Sequence, residues 1–241
     1  MTLSPALLLL ADGRFPTGGH AHSAGVEAAA AIGDVHDLAT FERYLRGRLA
    51  TTGVVDAAFA AAGCWSLAGD GADVDAAVAR CTVLDRELEA RILSPRARDV
   101  SRRLGRQLLR VARSTWPSPV LDRLTDGFGA DGFGVGGGAV HQPIATGAVV
   151  AVAGGTVDDA ARLAMHHLGA AVTGAAVRLL GLDPMAAAGL QVRTAPLVDR
   201  LVVRATDGIA SAPSELPADG GALTEILAEH HGTWPARLFV G

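Results

Sequence analysis

The chain lacks lysine and asparagine altogether. All 21 of its basic residues are arginine, it has one tyrosine, and only 4% of its 241 residues are aromatic. Without lysine there can be no phosphate-loop lysine, no kinase-type ATP lysine and no Schiff base within the chain. Two cysteines, Cys64 and Cys81, give no metal-binding spacing and are expected as reduced core residues. The opening run from Ala6 to Ala11 is too short to span a bilayer, with no basic flank before it and no cleavage signal after it. No other continuous run reaches the length of a span, so a cytoplasmic protein without membrane partners is expected. Charge of one sign is lacking too. The formal net charge of −4 lacks the basic excess of a general nucleic-acid binder, and no nucleic-acid partner is expected.

What is present is alanine-rich apolar periodicity, at 49% hydrophobic residues and a mean hydropathy of +0.30. Ser4-Pro5, Ser94-Pro95 and Ser118-Pro119 read as N-caps followed by a first helical proline. Thr156 with Asp159 approximates a capping box. Helices are predicted over 5–11, 23–32, 37–52, 54–68, 73–91, 95–115, 119–125, 144–153, 157–180, 184–206 and 222–231. The expected fold is therefore all-α, a single-domain helical bundle over 1–241. Its glycine tract at 127–138 is expected to be a flexible loop.

Helix 95–115 carries Val100, Leu104, Leu108 and Val111 within about 80° of arc. Arg102, Arg103, Arg106, Arg110 and Arg113 cluster on the other side, either as a solvated face or as a binding edge for an acidic partner. Helix 157–180 is small-residue and apolar nearly all round, which places it centrally, with His166 and His167 as core or dimer-contact residues. Glu87 and Glu89 near Arg86 and Arg91 read as a solvated charge pattern.

No constellation for catalysis assembles. Residues 127–132 match GxGxxG, but no strand precedes them and no helix opens there. Ala21-His22-Ser23-Ala24-Gly25 mimics a nucleophile elbow, but proline and glycine upstream exclude the strand that an elbow needs. His20 and His22 are weak metal candidates, two ligands at most, with His36 further on.

The N-terminal segment from Leu8 to Glu27, LLLADGRFPTGGHAHSAGVE, resembles the opening signature of the urease accessory protein F family. Four further blocks follow in order. Ser101 to Arg110 is similar to the family's SRxxGRxLLRL helix, His141 to Gly147 to its HxPxxxG segment, Ala175 to Leu179 to its AAVRL helix, and Ala236 to Phe239 to its terminal SRLF. The chain departs at Gly13, His20, Ala24, Gly232 and Ala236.

The resemblance implies an all-α, dimer-forming, non-enzymatic scaffold in the maturation of the nickel enzyme urease. It implies binding to accessory protein D (or H) and to the accessory GTPase G, and through that complex action on apo-urease, with no cofactor of its own. It marks Phe15, Pro16, Thr17, Gly18, Gly19, His22, Ser23, Gly25 and Glu27 as partner-binding. Arg102, Gly105, Arg106, His141, Arg178, Arg237, Leu238 and Phe239 complete that set. A nickel-binding metallochaperone using His20 and His22 is the alternative. A third idea has Arg14 or Arg106 acting in trans on the GTPase.

Overall fold

The computed structural model describes residues 4–19, 22–68, 73–126, 139–235 and 238–239. The expectations for His20, Arg237 and the glycine tract at 127–138 fall outside them. Among the described residues the regular elements are all helical. They run α1 (Pro5–Ala11), α2 (Val26–Ala31), α3 (Leu38–Arg48), α4 (Val54–Ser66), α5 (Val74–Arg91), α6 (Pro95–Thr115), α7 (Pro119–Asp126), α8 (Gln142–Val152), α9 (Val157–Leu180), α10 (Pro184–Thr206) and α11 (Ala222–His231).

Side-chain caps set the starts of α3, α5, α6, α9 and α10, whereas Ser4, expected to cap α1, makes no capping hydrogen bond. The Ser94 hydroxyl accepts from Ala97 N at 3.0 Å to start α6. Thr156 and Asp159 form the reciprocal capping box of α9. Two boundaries depart from expectation. α2 begins at Val26 rather than 23, because Ala24 (φ 49°) and Gly25 (φ 90°) are left-handed and break any helical start. α3 and α4 are also not separated at Gly53. A π-helical turn over Leu49–Gly53 joins them into one continuous rod.

α4, α8 and α9 form the centre of the single helical domain. α4 and α8 are built mainly of alanine and valine, and nearly every residue is buried. They cross closely at two glycines. A Cβ on Gly147 would run into the backbone of Ala60 and Cys64, and one on Gly63 would lie 3.0 Å from the Ile144 carbonyl. α9 is long and apolar enough to cross a membrane, with a mean hydropathy of 1.2. Its alanines and glycines give it that value without a continuous run of large apolar side chains. It packs against α1, α4, α8 and α10, but exposed His166, Ala170 and Arg178 show that it is not enclosed on every side.

His166 and His167 fix α1 by their ring nitrogens, at 3.1 Å from the Ala11 carbonyl and 3.0 Å from that of Leu10. Both cysteines are free and buried, and burial pushes their thiols up to about 11 (Cys64) and about 12 (Cys81).

Candidate functional site

Within the segment that carries the longest sequence signature, the described residues 12–19 and 22–25 form a loop between α1 and α2. Phe15 is buried, its ring 6.0 Å from that of Trp116. The Pro16 carbonyl accepts from Gln107 Nε2 at 2.9 Å, fastening the loop to α6. Gly18 (φ 79°) and Gly25 (φ 90°) take conformations that favour glycine. Gly25 also leaves no room, since a Cβ there would come within 2.6 Å of Thr224 and 2.7 Å of the Tyr44 hydroxyl. His22 and Ser23 are buried, while Pro16 is exposed and Thr17, Gly18 and Gly19 are partly so.

The arginines of α6 divide into two sets. Arg103, Arg106 and Arg110 are exposed and line a surface groove of about 360 Å³ with Thr17, Gly18, His22, Leu104 and Gln107. Among the described residues no carboxylate pairs with these three cations. Arg110 donates only to the Gln107 side-chain oxygen. Arg113, expected on the same face, is spent on Asp126 at 3.0 Å and Asp122 at 3.8 Å.

Arg102 belongs elsewhere. It is 5% exposed and pairs with Asp85 at 3.0 Å and Glu89 at 2.6 Å, while also donating to the Ala139 carbonyl at 2.6 Å. The buried arc of α6 is rotated toward Gly105, Leu109 and Ala112, so Arg102 falls inside its edge. His141, wholly buried, joins the same cluster. Its backbone N–H donates to Asp85 at 2.8 Å and its Nε2 lies 2.7 Å from Glu89. Glu89 is thus no solvated surface charge. Burial pushes its carboxyl up, but the Arg102 and His141 hydrogen bonds outweigh that and hold it below the usual range. Burial depresses the His141 imidazole.

Gly105 completes the junction, because a Cβ there would strike the Val140 carbonyl. The second and third sequence blocks therefore recognise one feature, the close approach of α6 to residues 139–142. Sequence reasoning missed Asp85, although its i,i+4 spacing from Glu89 on α5 was a usable signal.

Glu27 gathers the chain's end. Its carboxylate lies 2.8 Å from His231 Nε2 and accepts from Leu238 N at 2.7 Å and Phe239 N at 3.1 Å. Phe239 is 4% exposed under the Arg178 guanidinium, 4.4 Å from its ring centroid, whereas Leu238 projects outward. α11 also caps α6, with Glu225 accepting from Ser94 N at 2.7 Å and Glu229 from Arg96 N at 3.0 Å. Arg14 is exposed but tied to Asp12 at 2.6 Å.

Among the described residues no three His, Cys, Asp or Glu side chains come together as metal ligands. The one described histidine of the HxH pair, His22, is buried, and His36 bonds the Gly33 carbonyl at 2.9 Å.

The UreF family model matches residues 35–195. The chain belongs to the UreF family. It is 39% identical over 240 residues to a urease accessory protein UreF of Mycobacterium sp. strain JLS, covering 99% of both chains. It is 37% identical over 243 residues to the UreF of Mycobacterium marinum, again covering 99% of each, and 35% identical to that of Mycobacterium tuberculosis over the whole of both chains. UreF membership supports a role in urease maturation alongside other urease accessory proteins. The family model leaves out the 8–27 segment, which the full-length relatives cover.

Proposed function

We propose that this chain is a non-enzymatic scaffold that binds accessory protein D (or H) and the accessory GTPase G, and so directs nickel into apo-urease. The observation that carries the reading is the arginine-lined groove. A loop fixed by Phe15, Gln107 and two left-handed glycines stands beside three guanidiniums that no carboxylate among the described residues neutralises. Guanidinium pairs carboxylates bidentately, and holding cations ready on a rigid surface lowers the cost of docking an acidic partner face. Loops fixed on a rigid scaffold are where binding residues concentrate.

The exposed Met185, Val192 and Val203, seven and eleven residues apart on one face of α10, support self-association as a homodimer. Buried Phe239 is engaged in the chain's own core, which leaves exposed Leu238 as the outward element of the terminal block. In this reading nickel is cargo, and the chain orders the assembly that carries it. The alternative, nickel held by the chain itself, rests on the His20–His22 spacing alone.

Size-exclusion chromatography with light scattering, on the chain alone and mixed with accessory proteins D and G, tests the reading. A co-eluting complex of fixed stoichiometry is expected. Separate elution under low salt, with and without nickel, would contradict it.

A further inference from the structure

A second cavity, of about 190 Å³, lies beneath the loop, between α2, the π-helical turn, α6, α8 and α11. Its walls are largely apolar, including Ile92, Leu104, Pro143 and Leu168, yet Arg48 and Asp56 both enter it from either side of the π turn. Arg48 is 8% exposed. Its Nη1 donates to Thr52 Oγ1 at 2.7 Å, but among the described residues its Nε has no acceptor and no carboxylate pairs with it. Among the same residues no donor reaches the Asp56 carboxyl. Burial pushes its carboxyl up to about 7, against the pull of Arg48.

A buried guanidinium without a counter-ion is costly, and this fold avoids it elsewhere. Arg102 has two carboxylates, and Arg91 has Glu87 and several backbone carbonyls. π turns are often found at functional positions. Here the turn sets an unmatched cation and a carboxyl on one cavity wall.

We propose that this cavity binds a small free carboxylate with a short apolar tail, the carboxylate held between Arg48 and Asp56 and the tail against Leu104, Pro143 and Leu168. The ligand supplies the counter-ion that the Arg48 guanidinium lacks among the described residues. Protonated Asp56 donates to the second ligand oxygen, and ionised Asp56 repels it. Entry suits an anion, because the cavity shares His22 and Leu104 with the groove lined by Arg103, Arg106 and Arg110. The other titratable groups around the pair are Tyr44 on α3, His22 in the loop, His167 on α9, and Glu225 and His231 on α11. His167 faces the Leu10 carbonyl and burial keeps it neutral; Glu225 is engaged by Ser94 and His231 by Glu27.

The test is isothermal titration of the full chain with butyrate near pH 6 and near pH 8, with butyramide as the uncharged control. Butyrate is expected to bind about tenfold tighter at the lower pH, following the ionisation of Asp56. Asp56→Asn should bind it equally at both, and butyramide should bind far more weakly. Arg48→Gln should lose at least about tenfold in affinity. Leu168→Trp fills the cavity while keeping both charged residues, and should abolish binding even if Arg48→Gln fails to fold. No butyrate binding up to tens of millimolar overturns the proposal. So does binding that is independent of pH, or that survives Leu168→Trp.

Discussion

Arg102 and Arg106 stand one helical turn apart in the same sequence block, and the fold gives them opposite work. Arg102 is enclosed by Asp85, Glu89 and the Ala139 carbonyl, and fixes α6 against α5 and the start of α8. Arg106 looks outward with Arg103 and Arg110 over a groove where no carboxylate among the described residues meets them. A shared motif therefore mixes a residue kept for architecture with one free for recognition. In the proposed function, partner chemistry falls to the second kind.

The largest effect should come from Arg102→Ala, which leaves buried Asp85 without its cation and takes one from Glu89, which keeps Arg98 at 3.3 Å. It is expected to cost about 3–5 kcal/mol in denaturant unfolding. The loss should be greater near neutral pH than in acid. Glu89 titrates below its usual range in the fold, so its contribution is full above the unfolded carboxylate pKa and drains as pH falls through the lower folded value. His141 acts in the same direction. Its folded pKa lies below the ordinary imidazole value of 6.5, so its share is full above that pH and falls in acid as the unfolded chain takes the proton more readily. An Arg102→Ala penalty that is the same at pH 7 and at pH 4 would break this account of the cluster.

Gly105→Ala should follow, at about 1–3 kcal/mol, since the added methyl must push α6 away from the Val140 carbonyl. An unchanged melting temperature would mean that α6 and residues 139–142 do not approach as closely as described. Glu27→Gln is expected to cost about 1–2 kcal/mol and to speed hydrogen exchange at the amides of Leu238 and Phe239, which lose their charged acceptor. Equal exchange in the variant would separate the chain's end from α2. Last, Arg103, Arg106 and Arg110 changed together to serine should alter stability by less than about 1 kcal/mol, because none of them has an ion partner among the described residues.

The helices were legible because their signals are local. Ser94, Thr156 and Asp159 act within four residues of their own chain positions, and the apolar stripes repeat at helical spacing. The start of α2 was not legible, since a left-handed Ala24 has no composition signal and only the packing of Tyr44 and Thr224 on Gly25 fixes it. The continuity of α3 and α4 was hidden by Gly53, which reads as a break but is helical and packs against Met165 and Leu168. Of the candidate site, the segment from Phe15 to Gly25 was visible as an unusual backbone path fixed by proline and glycine. The role of Arg102 was not, because its partners sit on another helix, and periodicity alone put it on the solvated face. Glu27 joins residues more than two hundred positions apart, a separation that no local pattern reports.

The central claim is that the exposed arginines, and not the buried one, meet the partner. It is tested most directly by measuring the affinity of the Arg103→Ser, Arg106→Ser, Arg110→Ser triple variant for the accessory proteins D and G at fixed ionic strength, beside the unaltered chain. The account predicts a loss of at least about tenfold in affinity for one of the two partners, with melting temperature retained and the difference narrowing as salt is raised. Unchanged affinity for both partners in a folded triple variant would contradict it.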